Sequence, residues 1–230
     1  MPKLNVGGLI AKQTLFRHIS ASQLEQLRQD VVQIELDKGQ VLFHKGDLPQ
    51  GAYIVVLGMV KLSISSLEGG DKALELRRPG QSFGEAMIFL DEPYPFYAQA
   101  LENTLLLRIA PQALLSLLDQ SPRIARQMMV TLSDHLMGFV RNLERSSLQN
   151  ATQRVIEYLL QASDAQRSTE VRLDLKKSLV ASLLNLAPAT LSRILHHLTE
   201  LNLIKVRGSL IRIESTIALK SYQVGATALS

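Results

Sequence analysis

The 230-residue chain predicts an α+β protein with an N-terminal antiparallel β-roll of the jelly-roll type, a long dimerisation helix and a C-terminal winged helix-turn-helix. Three observations carry this expectation. Short apolar segments divided by glycine-bearing turns fill residues 32–109, and an apolar repeat of about 3.5 residues runs from 125 to 143. After Val171 the order is strand, helix, tight turn, helix, strand, strand. The expected divisions are 1–121 for the roll with its leading helices, 122–147 for the long helix and 148–230 for the C-terminal domain.

Residues 8–31 read as helical, because Leu15, Phe16, Ile19, Leu24, Leu27 and Val31 recur at spacings of mostly three and four, with Ser20 or Ser22 able to cap the second segment. Strands are expected at 32–36, 41–44, 53–57, 59–65, 73–77, 97–101 and 105–109. Turn signals such as Lys45-Gly46-Asp47, Gly58 and Pro79-Gly80 separate them. Over 61–65 the alternation places Leu62 and Ile64 on one face against Lys61, Ser63 and Ser65 on the other.

Helical spacing returns after Pro111 and dominates 122–145. Met129, Leu132, Leu136, Phe139 and Leu143 alternate by three and four, a seam that calls for a partner helix. Ile124, Met128 and Val140 lie off the seam and are expected to face the strands. Two readings follow: a homodimer helix, or one wide stripe packed within its own domain. A further helix is expected at 151–161, and 162–170 is polar without apolar period.

Beyond it, strand 171–175 leads to helices 177–184 and 188–200, then strands 204–206 and 210–213. Asn185 tolerates the left-handed backbone that stops the first helix, and Pro188 suits the first position of the second. Leu191, Ile194, Leu195 and Leu198 form the buried stripe of that second helix. Ala189, Thr190, Ser192, Arg193, His196 and His197 are left for solvent. Such a helix fits a DNA major groove, where Arg193 has the reach for bidentate bonds to guanine O6 and N7. Ser192 suits a base or a phosphate and Thr190 a phosphate. Lys177 and Arg207 are the best placed of the basic residues to neutralise backbone charge, ahead of Lys176 and Arg212.

Charge distribution agrees. Residues 1–147 hold 15 basic and 15 acidic side chains, whereas 148–230 hold 10 and 6, so the whole net charge of +4 is C-terminal. Hydrophobic residues at 46% and charged residues at 20% exclude a disordered or collagen-like chain. The absence of cysteine excludes disulfides, thiolate zinc sites, cysteine-ligated iron–sulfur clusters and cysteine nucleophiles. No phosphate loop, metal-spaced histidine pair or nucleophile elbow occurs, so no enzyme and no metal site is expected. The first residues lack a signal-peptide pattern, and the longest nearly apolar run, 52–60, is far short of the roughly 20 residues that span a bilayer. The expectation is a cytoplasmic protein without a membrane partner.

The order of glycine-punctuated roll, long helix and winged helix-turn-helix, with Phe83-Gly84-Glu85 and Thr190-Leu191-Ser192-Arg193, resembles the CRP/FNR superfamily of bacterial transcription regulators over about residues 15–217. Residues 84–93 and 148–155 are most similar to its Dnr branch, nitric-oxide-responsive regulators of denitrification associated with haem. The resemblance implies a cyclic-nucleotide-binding-like roll that senses a small signal, nitric oxide or redox in nature. It also implies a homodimer on a palindromic FNR-like site in double-stranded DNA, with RNA polymerase as a partner. The alternative is a cyclic-nucleotide-binding regulatory module acting on DNA or on a protein partner.

Two departures qualify it. Cyclic-nucleotide-binding members follow Gly-Glu with an Arg-Ser pair that holds the phosphate, and this chain has Tyr94-Pro95-Phe96-Tyr97 with no arginine before Arg108. The expected effector pocket, formed by Phe83, Gly84, Glu85, Met87, Phe89, Tyr94, Phe96 and Tyr97, is therefore apolar. It suits haem or direct contact with the long helix, or else its aromatics are core without a ligand. Among the five histidines His44 and His135 are the better candidates for an axial ligand, and the cofactor itself stays open. The second departure is Ala189, which stands where FNR-type members place the Glu of Glu-x-x-Ser-Arg. Its methyl group cannot accept from cytosine N4 but can touch a thymine methyl.

Overall fold

The computed structural model describes residues 6–11, 13–16, 19–66 and 70–225, which form two compact units, residues 1–137 and 138–230. The first begins with α1 (Val6–Ala11), a 3₁₀ turn (Thr14–Phe16) and α2 (Ala21–Gln29), which ends two residues short of the expected 31. Ser20 caps α2 through a capping box with Gln23, and Val31 already opens β1.

Two four-stranded antiparallel sheets follow. One has the order β1 (Val31–Leu36), β8 (Thr104–Ile109), β3 (Ala52–Leu57), β6 (Ser82–Phe83). The other has the order β2 (Val41–Phe43), β7 (Tyr97–Ala100), β4 (Val60–Ser66), β5 (Gly70–Arg77). Leu106 of β8 joins Tyr53, Val55, Val60, Leu62 and Ala98 in the core that strands of both sheets share, while Leu107 and Ile109 join a second core with Leu27, Leu114, Ile124 and Met128. The first sheet is thus buried on both faces, which is why 105–107 reads as a continuous apolar run. The short helix α3 (Glu85–Leu90) after β6 was not expected from periodicity; it has too few turns to show any.

In β4 the expected alternation fails at Ser63, which is fully buried. A bulge shifts the register against β5 between Leu62 and Ser63, so both leave solvent and Ile64 is only half-buried.

Helix α4 (Pro111–Gln120) leads into α5 (Pro122–Leu148), and the division between the units falls inside α5. Ile124 and Met128 are buried as expected, but Val140 is 46% exposed. It lies in the second unit and does not enter that unit's core.

The second unit continues with α6 (Ala151–Gln166), which runs past the expected end at 161. Its last turn is held by small buried Ser163, whose hydroxyl donates to the Ser168 carbonyl, so no large apolar residue marks it. Strand β9 (Glu170–Arg172) pairs with β11 (Leu210–Ile213), which pairs with β10 (Ile204–Arg207), so the expected strand near 171 joins the wing in one three-stranded sheet. Between β9 and β10 lie α7 (Lys177–Leu183) and α8 (Pro188–Glu200), and α9 (Thr216–Gly225), not foreseen, packs on α6 through Leu219 and Gln223. No single helix among the described residues is long and apolar enough to cross a membrane. One bent pair passes that test jointly, and it is α7 with α8, broken by 100° at the helix-turn-helix itself.

Gly58 and Gly46 both have left-handed backbones, φ +84° and +93°, but only Gly58 is crowded: an added Cβ would lie 2.5 Å from Thr104 Oγ1 and 2.6 Å from the Asn103 carbonyl oxygen. Gly46→Ala should therefore cost only the left-handed strain, about 1–2 kcal/mol. Gly58→Ala should cost clearly more, because it also displaces the Thr104 hydroxyl that accepts from the Met59 amide. Urea unfolding of the two variants checks this, and equal losses would refute the crowding argument.

Candidate nucleic-acid interface and effector region

The helix-turn-helix is assembled by its turn. Asn185 adopts φ +55° at the end of α7, and the Leu186 amide donates to the Ala181 carbonyl at 2.9 Å. The Leu186 side chain packs against the core of the second unit, and Pro188 opens α8. Leu191, Ile194, Leu195 and Leu198 are buried, which fixes the roll of α8 about its axis. The opposite face presents Ala189, Ser192, Arg193, His196 and His197 to solvent, with Thr190 half-buried.

The Arg193 guanidinium lies along this face, donating to Thr190 Oγ1 at 3.4 Å, a long bond easily exchanged for a better acceptor. Lys177 is half-buried at the start of α7, and Arg207 is exposed where β10 turns at Gly208, φ +61°. Lys205 and Arg212 share Glu214 as an ion-pair partner at 3.3 and 3.7 Å, so their charge is partly neutralised. Outside the expected set, His197 Nε2 is 3.1 Å from the Tyr222 hydroxyl of α9, an exposed contact. That contact depends on α9, where Leu219 is the one fully buried residue among the described side chains, too little for a periodic signal.

Along α5, Met129, Leu136, Phe139 and Leu143 are 60, 64, 55 and 69% exposed. Leu132 is half-buried and packs against the first unit's core. Apart from Leu132, the seam residues thus form an uncovered apolar stripe that joins neither core.

The expected effector residues separate into groups. Phe83 and Tyr94 are buried in an aromatic stack with Phe43 and Tyr53: the Phe43 and Tyr94 rings lie 3.7 Å apart, and Tyr53 and Phe83 5.3 Å apart. Met87 and Phe96 pack against this cluster, and Gly84, φ +88°, lets the chain pass close to Tyr53 and Tyr94. Two of the expected lining residues do not join. Tyr97 is placed on the other face of β7 by its neighbours Ala98 and Ala100, which point into the core, and lies under Lys61 Nζ at 5.5 Å. Phe89 is 40% exposed, because α3 turns Ile88 inward instead.

Glu85 is 2% exposed and belongs to a polar cluster that sequence reasoning missed. Ser82 Oγ donates to Glu85 Oε1 at 3.1 Å, and His135 Nδ1 of α5 lies 3.7 Å from the same oxygen. Arg77, itself 5% exposed, places Nη1 2.8 Å from His135 Nε2 and donates from Nη2 to Glu75 Oε2 at 2.8 Å. Since arginine only donates, His135 Nε2 is the acceptor and the ring proton sits on Nδ1. Charged residues in a short strand look solvated in a sequence, so nothing marked Arg77 as buried or Glu75 as half-buried beside it. Burial pushes the Glu85 carboxyl above its ordinary range, against hydrogen bonds from its own backbone and the Arg77 charge.

Haem does not fit these residues as they stand. Both ring nitrogens of His135 face partners, and taking Nε2 for iron would strand the buried Arg77. His44 follows Phe43 of the stack, but its own side chain is exposed to solvent beside Asp47. The stack is closed by ring-on-ring contact, and His18 lies outside the described residues.

The geometry defines a class: a roll carrying a buried Gly-Glu turn, a long helix with an uncovered apolar seam, and a winged helix-turn-helix. Comparison with known proteins gives the same division, since the cyclic nucleotide-binding domain family matches residues 33–121 and the Crp-like helix-turn-helix domain family residues 153–222. The chain is 32% identical to the DNR structure from Pseudomonas aeruginosa, covering 95% of this chain and 97% of that one at a TM-score of 0.51. It is 27% identical to the cyclic AMP receptor protein of Thermus thermophilus over 82% of this chain and 86% of the relative. It is also 27% identical to the fumarate and nitrate reduction regulatory protein of Vibrio cholerae, over 85% and 80%. The chain belongs to the CRP/FNR family of DNA-binding transcription regulators, which are not enzymes.

Burial and the adjacent Arg77 push the His135 imidazole down to about 4 from an ordinary 6.5. The unfolded chain therefore takes up this proton first, and stability should fall by up to about 3 kcal/mol as pH drops from about 6.5 to about 4. Glu85, raised in the fold, acts with the opposite sign: its contribution is lost as pH rises through its folded range. His135→Gln keeps an acceptor for Arg77 and removes the titration, so the difference in unfolding free energy between pH 7 and pH 4.5 should shrink in that variant. An unchanged difference by urea denaturation would show that His135 does not titrate as described.

Proposed function

We propose that the protein is a homodimeric, sequence-specific regulator that reads a palindromic, FNR-like DNA site and responds to a nitrosative or redox signal. The observation that carries this is the division of α8 into a buried Leu191, Ile194, Leu195, Leu198 stripe and a polar face led by Arg193. Arg193 reads a guanine, Ser192 a base or phosphate, and Thr190, Lys177 and Arg207 hold the backbone. Ala189 removes the acceptor for cytosine N4, so the operator differs from the FNR type at that base and offers a thymine methyl instead.

The exposed Met129, Leu136, Phe139 and Leu143, with Leu132 at their edge, are the dimer seam. In the proposed division, residues 1–121 sense, 122–147 pair the chains and 148–230 bind DNA. The protein acts in the cytoplasm, where RNA polymerase is its second protein partner. The signal class is supported by the likeness to DNR and to the fumarate and nitrate reduction regulator.

A cyclic nucleotide is the second reading, favoured by the family match over 33–121 and by Glu85. Against it, residues 91–107 hold no Lys or Arg to pair with a cyclic phosphate, and calorimetry with cyclic nucleotides decides.

Arg193→Ala should remove about 1–3 kcal/mol of discrimination between operator and scrambled duplex by fluorescence anisotropy. Unchanged discrimination would remove Arg193 from the interface. Leu136→Glu should convert the dimer to monomer by light scattering, since a carboxylate cannot be buried unpaired in the seam. A dimer of undiminished mass would place the interface elsewhere.

A further inference from the structure

The last turn of α5 and the helix-turn-helix meet within the second unit through side chains that neither bury apolar surface nor face the proposed DNA surface. Asn185 Nδ2, at the left-handed turn between α7 and α8, donates to Ser146 Oγ of α5 at 2.8 Å. Arg154, on the first turn of α6, donates from Nε to the Leu184 carbonyl at 3.0 Å and from Nη1 to the Gln149 carbonyl at 2.8 Å. Those carbonyls lie at the C-terminal ends of α7 and α5, where helices leave acceptors unfilled and carry partial negative charge. One half-buried guanidinium thus closes two helix ends at once. Glu157, one turn further along α6, accepts from Gln149 Nε2 and lies 3.7 Å from Arg145 Nη1 of α5.

An exposed turn needs none of this for its own stability. Glycine satisfies the left-handed backbone at position 185 without a side chain, and water can cap the carbonyl of Leu184. What the bonds add is direction: they fix how the recognition helix leaves the end of the helix that carries the dimer seam. We infer that Asn185 and Arg154 are positioning residues that lock the helix-turn-helix onto the last turn of α5, so that this corner sets the operator half-site spacing the dimer accepts. The inference rests on the proposed twofold reading of a palindrome. It assigns spacing to residues that touch no DNA and leaves base recognition to α8.

The test uses the full-length chain with a duplex selected from a random pool by the wild type, the same duplex with its half-sites moved apart or together by one base pair, and a duplex carrying a single half-site. Ser146→Ala, Asn185→Gly and Arg154→Gln are compared by anisotropy titration. Asn185→Gly retains the left-handed turn and Ser146→Ala acts from the other side of the bond, so both keep the test open if Arg154→Gln fails to fold. The wild type should penalise the altered spacings. In Ser146→Ala and Asn185→Gly that penalty should shrink by about three- to tenfold, the range of one hydrogen bond, while single half-site affinity stays within about twofold. Combining the two should shrink it no further, because they remove the same bond. A spacing penalty unchanged in every folded variant overturns the clamp, as does single half-site affinity falling in step with palindrome affinity, which marks a purely structural role. A wild type that binds the half-site but is indifferent to spacing overturns the twofold reading and the clamp with it. A wild type that selects no duplex sequence overturns the DNA assignment of α8 itself.

Discussion

A helix of 27 residues, about 40 Å long, is stable in water only if its apolar face is covered, and α5 is covered on one face alone. Ile124 and Met128 dock into the first unit's core, while Met129, Leu136, Phe139 and Leu143 stand in solvent one step around the helix. Burying four such side chains against a partner stabilises by roughly 1.5–3 kcal/mol each before association costs. Other features lie close to these residues in sequence: Leu136 follows His135 of the polar cluster, and Ser146 and Gln149, which bond to Asn185 of the α7–α8 turn and to Arg154, lie just beyond Leu143.

The polar cluster matters because of where its members come from. Glu75 and Arg77 belong to β5, Ser82 to β6, Glu85 to α3 and His135 to α5, so the cluster ties the Gly84-Glu85 turn to α5, as Ile88 does through the apolar core. Glu85 Oε2 and Arg77 Nε are buried without a hydrogen-bond partner. Leaving such atoms unpaired has a cost that the remaining bonds of the cluster offset.

The legible parts of this protein were those where one physical rule acts alone. Glycine turns and apolar strands located the roll, and α5 itself stood out because its apolar residues recur by three and four. The stripe of α8 was equally plain, since a helix packed on one side must show its period. Legibility failed where two rules compete. Ser63 is drawn inside by a bulge that no pattern announces, and Phe89 and Tyr97 share a segment with buried aromatics but sit on the opposite faces of their elements. The short α3 and the lightly buried α9 carry too few core residues to register. The Arg77–His135 contact joins residues 58 apart in sequence, so no local pattern contains it.

The DNA face poses the remaining question of specificity, and the geometry bears on it directly. Ala189 is exposed at the start of α8, on the same face as Ser192 and Arg193, so the nearest side-chain acceptors on that turn are neutral hydroxyls rather than a carboxylate. A carboxylate at this position would also sit beside the Arg193 guanidinium and compete with guanine for it. With Ala189, the nearest acceptor to the guanidinium is Thr190 Oγ1 at 3.4 Å, too long to hold it firmly. On the proposed reading, Ala189 gives up one base contact and leaves Arg193 freer. Specificity would then concentrate on the guanine that Arg193 is proposed to read and on the proposed half-site spacing.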